Sequence, residues 1–285
     1  MRPERAAFGA FLRSRRDRLA PSQAGIASFP GARRVPGLRK EELALLAGVS
    51  VDYYSRLEQG RQLNVSDEVV DALARALRLD DIETAHLRDL AAPAAGRRVV
   101  PPDSKQHADP GLLRIMTALD HLPVLLLGQC AEVLAHNALL GAVLGRSFEP
   151  GSSFIRYLLQ DSLARERITN WSNFASSALA AIRREVARRP NELRLQLLIR
   201  ELTKADADVA RWWEDHAVHD YASIRTRIDH PDAGPLNFEI EILNSPLEPD
   251  QHLVVYTAQP DSPTARMLPI LASWHGPGVV RDCPV

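Results

Sequence analysis

At 285 residues, 45% of them hydrophobic and 25% charged, the chain is too long for one small module and apolar enough to bury a sizeable core, so two domains are expected. Its two cysteines, Cys130 and Cys283, lie far apart, which excludes a disulfide framework or a paired metal-ligand spacing and suits a reducing cytoplasm. The longest strongly apolar run, Leu122 to Leu127, falls far short of the ~20 residues a membrane span needs.

The net charge of −1 conceals an asymmetry. Residues 1–62 hold 12 Lys+Arg against 6 Asp+Glu, and the remainder of the chain is acidic by 7. A basic head on an acidic body suggests that only the head meets a polyanion. The arginine-rich first twenty residues are not followed by an apolar stretch, so a secretory signal is not expected.

In chain order, Ala6 to Leu19 has helical spacing of its apolar residues. The prolines and glycines of "APSQAGIASFPGARRVPG" then make an unusually long loop. Arg39 to Ala47 reads as a helix ended by Gly48, and Ser50 can cap a helix reaching about Gln59. "VSDEVVDALARALRL", with Ser66 as N-cap, and "DDIETAHLRDLA" supply two more helices. Five helices thus fill an all-α domain at 1–92, followed by a Pro-rich linker at 93–110.

The domain at 111–285 has a different pattern. "PVLLLGQCAEVLAHN" resembles two short buried strands, and three helical periods follow between Asn170 and Val218. "ASIRTRID", "PLNFEIEIL" and "HLVVYTA" then read as an antiparallel meander in which Phe238, Ile240 and Ile242 share one face. An α+β domain is expected. The tail "LASWHGPGVVRDCPV" has no assignable role.

Residues 39–61 have the pattern of a helix-turn-helix. Ala44 is small enough for a helix crossing, Gly48 permits the tight turn, and Leu43, Leu46, Val49, Tyr54 and Leu57 form the inward face. Asp52, Ser55, Arg56 and Gln59 fall on one polar stripe that a recognition helix would present to the major groove. Arg56 can pair with guanine, Gln59 with adenine and Asp52 with cytosine, while Val51 can touch a thymine methyl and Ser50 lies beside it at the helix start. Arg39 and Lys40 are candidate phosphate contacts, and Arg61, Arg33 and Arg34 candidate phosphate or minor-groove contacts. Glu58 is expected to serve the fold by bonding neighbouring backbone.

"LRKEELALLAGVSVDYYSRLEQGR" resembles the XRE/Cro-type, lambda-repressor-like helix-turn-helix, and with its flanks it resembles the MmyB-like regulators of actinobacteria. "FIRYLL", "NWSNFA", "WWEDHAV" and "DHPDAG" follow in that family's order, so the resemblance covers nearly the whole chain. It departs at His136, where the family carries Trp, and at Val209, where it tends to carry Phe. The resemblance implies a PAS-like ligand-binding domain with an antiparallel sheet, a double-stranded DNA operator as partner, a homodimer, and no cofactor. Fatty-acid-like ligands have been associated with the family fold.

Candidate effector-pocket residues are His136, Asn137, Arg156, Trp171, Trp212, Trp213, His216 and His230. Arg156 could neutralise a carboxylate, and a small hydrophobic or carboxylate effector is the expectation. His216, His219 and Asp220 sit close together, but no distant Cys or His set completes a metal site. No phosphate-binding glycine loop appears, and "GSS" at 151–153 lacks the surroundings of a nucleophile elbow, so an enzyme is not expected. The alternative is a regulator whose second domain serves only dimerisation or protein partners.

Overall fold

A computed structural model describes residues 3–26, 37–62, 65–92, 106–216, 224–245, 248–275 and 279–281. The chain divides into two compact units. The first comprises Met1–Val99, Arg183–Gln196 and Arg211–His219; the second comprises Val100–Ile182, Leu197–Ala210 and Asp220–Val285.

The first unit is built on five helices: α1 (Pro3–Arg18), α2 (Lys40–Ala47), α3 (Val51–Glu58), α4 (Asp67–Leu77) and α5 (Asp81–Ala91). Apolar residues at helical spacing on each bury Phe11, Leu12, Leu43, Tyr54, Leu57, Leu73 and Leu87 almost completely. Leu46, expected on the inward face, is 40% exposed, because α2 turns Leu43, Ala44 and Ala47 inward instead. A side chain at Gly9 would lie 2.2 Å from the Glu58 carbonyl oxygen, so glycine is what lets α1 cross α3 so closely.

The polar finish of this unit comes from far along the chain. Helices α10 (Trp171–Arg188), α11 (Leu193–Ala205) and α12 (Ala207–Glu214) each contribute residues to it. Arg15 of α1 donates to the His216 carbonyl at 2.6 Å and to Glu83 at 2.6 Å, while Arg18 pairs with Asp215. Arg183 donates to the Trp212 carbonyl at 3.1 Å and lies over the Trp213 ring at 4.5 Å. Arginines thus satisfy carbonyls that the end of α12 leaves without helical partners, where positive charge also suits the helix dipole.

The second unit holds a six-stranded antiparallel sheet in the order β3-β4-β5-β1-β2-β6. The strands are β1 (Val124–Leu127), β2 (Val133–Asn137), β3 (Ile224–His230), β4 (Gly234–Asn244), β5 (His252–Thr257) and β6 (Val279–Arg281). The expected meander is β3-β4-β5, and β1, β2 and β6 extend it. Register places Phe238 and Ile240 on one buried face, with Glu241 exposed on the other. Helix α6 (Pro110–Ala118) covers one side through Leu112 and Met116, packed with Val124, Leu126, Leu253 and Val255. Alternation sends Leu125, His136, Val254 and Tyr256 to the opposite side, and both faces of β2 are buried. Helices α7 (Ala138–Leu144), α8 (Phe154–Gln160), α9 (Ser162–Arg167) and α13 (Pro263–His275) complete the unit.

Candidate nucleic-acid interface and effector cleft

The helix-turn-helix forms by local rules. Glu42 accepts the Arg39 N–H at 2.7 Å and caps the start of α2. Gly48 takes the left-handed conformation at φ 66°, and Ser50 Oγ accepts the Tyr53 N–H at 3.1 Å to start α3. Tyr54, Leu57 and Glu58 of α3 are then buried, while Val51, Asp52 and Arg56 face solvent and Gln59 ends the helix exposed. Ser50, Arg39 and Arg61 are exposed as well, and Ser55 is half-buried. Asp52 and Arg56, one helical turn apart, form an ion pair at 3.0 Å. Arg33 and Arg34 lie outside the described residues.

A buried charge cluster holds this face from behind. Glu58 accepts from Arg16 Nε at 2.6 Å and from the Tyr54 hydroxyl at 2.7 Å, with Lys40 Nζ at 3.3 Å and Arg13 Nε at 3.8 Å. Arg16 also donates to the Leu38 carbonyl at 2.8 Å. The partners of Glu58 are therefore side chains rather than the neighbouring backbone expected above. Burial pushes the Glu58 carboxyl up, but the Arg16 and Tyr54 hydrogen bonds and the charges of Arg16 and Lys40 outweigh it and hold it below its ordinary value. Burial and the Glu58 charge push the Tyr54 phenol well above its own. Lys40 leans inward on Glu58, unlike Arg39. Reading the sequence missed Arg16, whose buried role has no signature within its run of arginines.

The eight expected pocket residues are divided between the two units. Trp212, Trp213 and His216 belong to the first unit, the other five to the second. His136 is buried, with Nδ1 at 2.9 Å from the Asn137 carbonyl and Nε2 accepting the Phe148 N–H at 3.1 Å. Asn137 caps α7 and ties β1 in place: its Oδ1 accepts from Val124 and Leu140, and its amide donates to the Leu122 carbonyl. His230 accepts the Asp232 and Ala233 N–H groups at the β3–β4 turn, leaving Nε2–H for the Ala142 carbonyl at 3.2 Å. Trp171 donates to the Leu158 carbonyl at 2.7 Å beneath the Arg165 guanidinium. Buried polar groups must be bonded, and at these four positions the fold itself uses them. Arg156, of the same set, borders an open cleft, where it makes a two-pronged pair with Glu201 at 2.6 and 3.1 Å.

That cleft, about 400 Å³, is lined by Arg146, Phe148, Ser152, Arg156, Tyr157 and Asp161 among others. Groups of three or more metal-binding side chains are absent among the described residues, and His219 and Asp220 lie outside them. No described helix is long and apolar enough to cross a membrane.

A helix-turn-helix with a polar outward stripe, joined to a sheet-based unit with its own cleft, defines a DNA-binding regulator carrying a separate sensing body. Residues 7–87 match a helix-turn-helix domain model, and residues 108–271 match the MmyB-like transcription regulator ligand binding domain. The chain belongs to the MmyB-like transcription regulators. No curated protein matches it in a sequence search.

Proposed function

We propose that this regulator reads double-stranded DNA in a sequence-specific way through Val51, Asp52, Arg56 and Gln59, with Ser50, Ser55, Arg39 and Arg61 at the margins. The observation that carries the reading is the two-sided character of α3: an exposed polar stripe outside, and the Glu58 cluster fixing the helix from within. Arg39 and Arg61 supply phosphate contacts, and Lys40 contributes through Glu58 as well as by its charge. The second unit takes a small effector and mediates homodimerisation, which places two half-sites in register. Effector binding acts by favouring one of the arrangements open to the DNA-reading heads.

The test is selection of binding sites from a random duplex library, first with the wild-type chain and then with Arg56→Ala. Wild type enriches one motif. Arg56→Ala loses preference at one base pair of each half-site, a loss of about 1–3 kcal/mol in discrimination, with an unchanged circular-dichroism spectrum. Failure of the wild type to enrich any motif, or an identical motif from the variant, overturns the assignment.

A further inference from the structure

We infer that Arg13, which lies on α1 outside the helix-turn-helix, contacts the DNA backbone. Together with Lys40 it grips one phosphate at the rim of the recognition helix, and the outer oxygen of Glu58 holds the two cations ready while the protein is free. This rests on the reading that α3 enters the major groove, and it adds a contact from a third helix.

Gly9, Arg13 and Arg16 stand at i, i+4 and i+7 on α1, so they share the side that crosses α3 at the Glu58 carbonyl. Arg15 and Arg18 leave on another side, towards Glu83, His216 and Asp215. Arg16 is buried and committed to Glu58 Oε1, to which the Tyr54 hydroxyl also donates. Glu58 Oε2 is left over, buried and accepting no hydrogen bond. Lys40 Nζ stands 3.3 Å from it and Arg13 Nε 3.8 Å, with the Arg13 side chain 56% exposed. Two cations drawn to one oxygen are close enough to share one phosphate.

Their place at the interface follows from the period of α3. Glu58 is three residues beyond Ser55 and next to Gln59, so cations gathered on it emerge beside the C-terminal end of the exposed stripe. A helix about 10–12 Å across fills a major groove about 12 Å wide, and a long side chain leaving its rim meets the phosphate wall. A phosphate can take the Arg13 fork in two hydrogen bonds, whereas Glu58 holds it at a distance too long for one. Such a contact carries no sequence preference and adds affinity and salt dependence on any duplex.

The full-length protein is titrated by fluorescence anisotropy against the selected duplex and a scrambled one, from about 50 to 200 mM salt. Arg13→Gln weakens both duplexes by the same factor, about eightfold near 0.1 M salt, and makes the dependence of log affinity on log salt shallower by about 0.9, the release expected of one phosphate contact. Its Tm is unchanged, because Glu58 keeps Arg16 and Tyr54. Lys40→Gln makes the dependence shallower by a similar amount, and Arg13→Lys, which keeps the charge, retains the wild-type slope. Arg88→Gln, which takes an equal charge from the pair with Asp71 on α5, leaves slope and affinity as they were. In duplexes with single neutral methylphosphonates, one position makes both Arg13→Gln and Lys40→Gln indistinguishable from wild type. An unchanged slope in Arg13→Gln, a shallower one in Arg13→Lys or Arg88→Gln, a loss confined to the selected duplex, or no such methylphosphonate position overturns the proposal. Should no motif be selected, the sequence-specific reading fails, and the scrambled duplex alone still decides Arg13.

Discussion

Glu58 shows how a residue hostile to DNA can be indispensable to reading it. A carboxylate at the end of a recognition helix gains nothing from phosphate, yet here it is 4% exposed and gathers Arg16, Tyr54 and Lys40 around itself. Removing one member of such a buried cluster strands the others, so Glu58→Gln is expected to cost about 3 kcal/mol in a denaturant titration. The pH dependence has a definite sign. The folded-state pKa lies below the unfolded value near 4.5, so the contribution is complete above that pH and is lost as pH falls through the folded pKa. The wild-type acid limb should therefore be steeper than that of Glu58→Gln below about pH 4.5. Asp52 presents the opposite case, an exposed acid that pairs with Arg56 and repels the backbone of DNA. Asp52→Ala should raise affinity for non-cognate duplex severalfold in fluorescence anisotropy and narrow the gap to the selected motif. The exposed stripe was legible in the sequence because it repeats with the helical period. The network behind Glu58 was not, since Arg16 lies 42 positions away among five similar arginines.

At the scale of elements, the side of the first unit where α1, α5, α10 and the end of α12 meet is crowded with cations. Arg183 is buried and Arg15 half-buried there beside His86, which is 2% exposed and packs edge-on to Phe11 at 5.0 Å. Burial, then the charges of Arg183, Arg184 and Arg15, push the His86 imidazole down to about 3, and burial with the charges of Arg183, Arg15 and Arg18 pushes His216 to about 4. Both rings are neutral in the folded state and charge readily when unfolded, where the value is near 6.5. The unfolded state thus takes up protons first, and stability falls as pH drops below about 6.5 and continues to fall towards the folded values. At pH 5 His86 alone should account for about 2 kcal/mol of that loss. His86→Leu should accordingly flatten the stability profile between about pH 6.5 and 4, measured as denaturant midpoints at half-unit steps. The elements themselves were unequally legible. The strands β3 and β4 alternate over seven and eleven residues, and β5 is a short apolar run rich in β-branched residues, so all three announce themselves. β6, only three residues long and paired solely with β2, has no pattern to detect, which is why the tail yielded no assignment. Similarly, α7, α8 and α9 run six or seven residues, too short for a period to emerge from composition.

At the scale of the whole chain, composition suggests a Pro-rich break after residue 92 but could not show which distant segments rejoin the first body. Contacts of high sequence separation leave no trace in local pattern: Arg15 with His216, Arg18 with Asp215 and Arg188 with Asp89 each span about a hundred positions or more. The consequence concerns what counts as the DNA-reading module. A fragment of residues 1–92 retains the apolar core of Phe11, Leu12, Leu43, Tyr54, Leu57 and Leu73, so it should fold. It loses the His216 carbonyl that accepts from Arg15 and the Asp215 carboxylate that pairs with Arg18, and it exposes the flank of α1 that carries them. α1 is also the helix that fixes α3, through Arg16 on Glu58 and through the close crossing at Gly9. A loosened α1 therefore reaches the recognition stripe without any change in the residues that touch DNA. The fragment should unfold at a lower temperature than the same unit within the full chain. Amide hydrogen exchange should be faster throughout α1 and at the C-terminal end of α3, with α4 changing least. Its affinity for the selected duplex should fall by more than the loss of a second half-site explains, as read by comparing it with an obligate monomer of the full chain on a single half-site. Equal protection of α1 in fragment and full chain would show that residues 183–196 and 211–219 merely adjoin the module and do not hold it in shape.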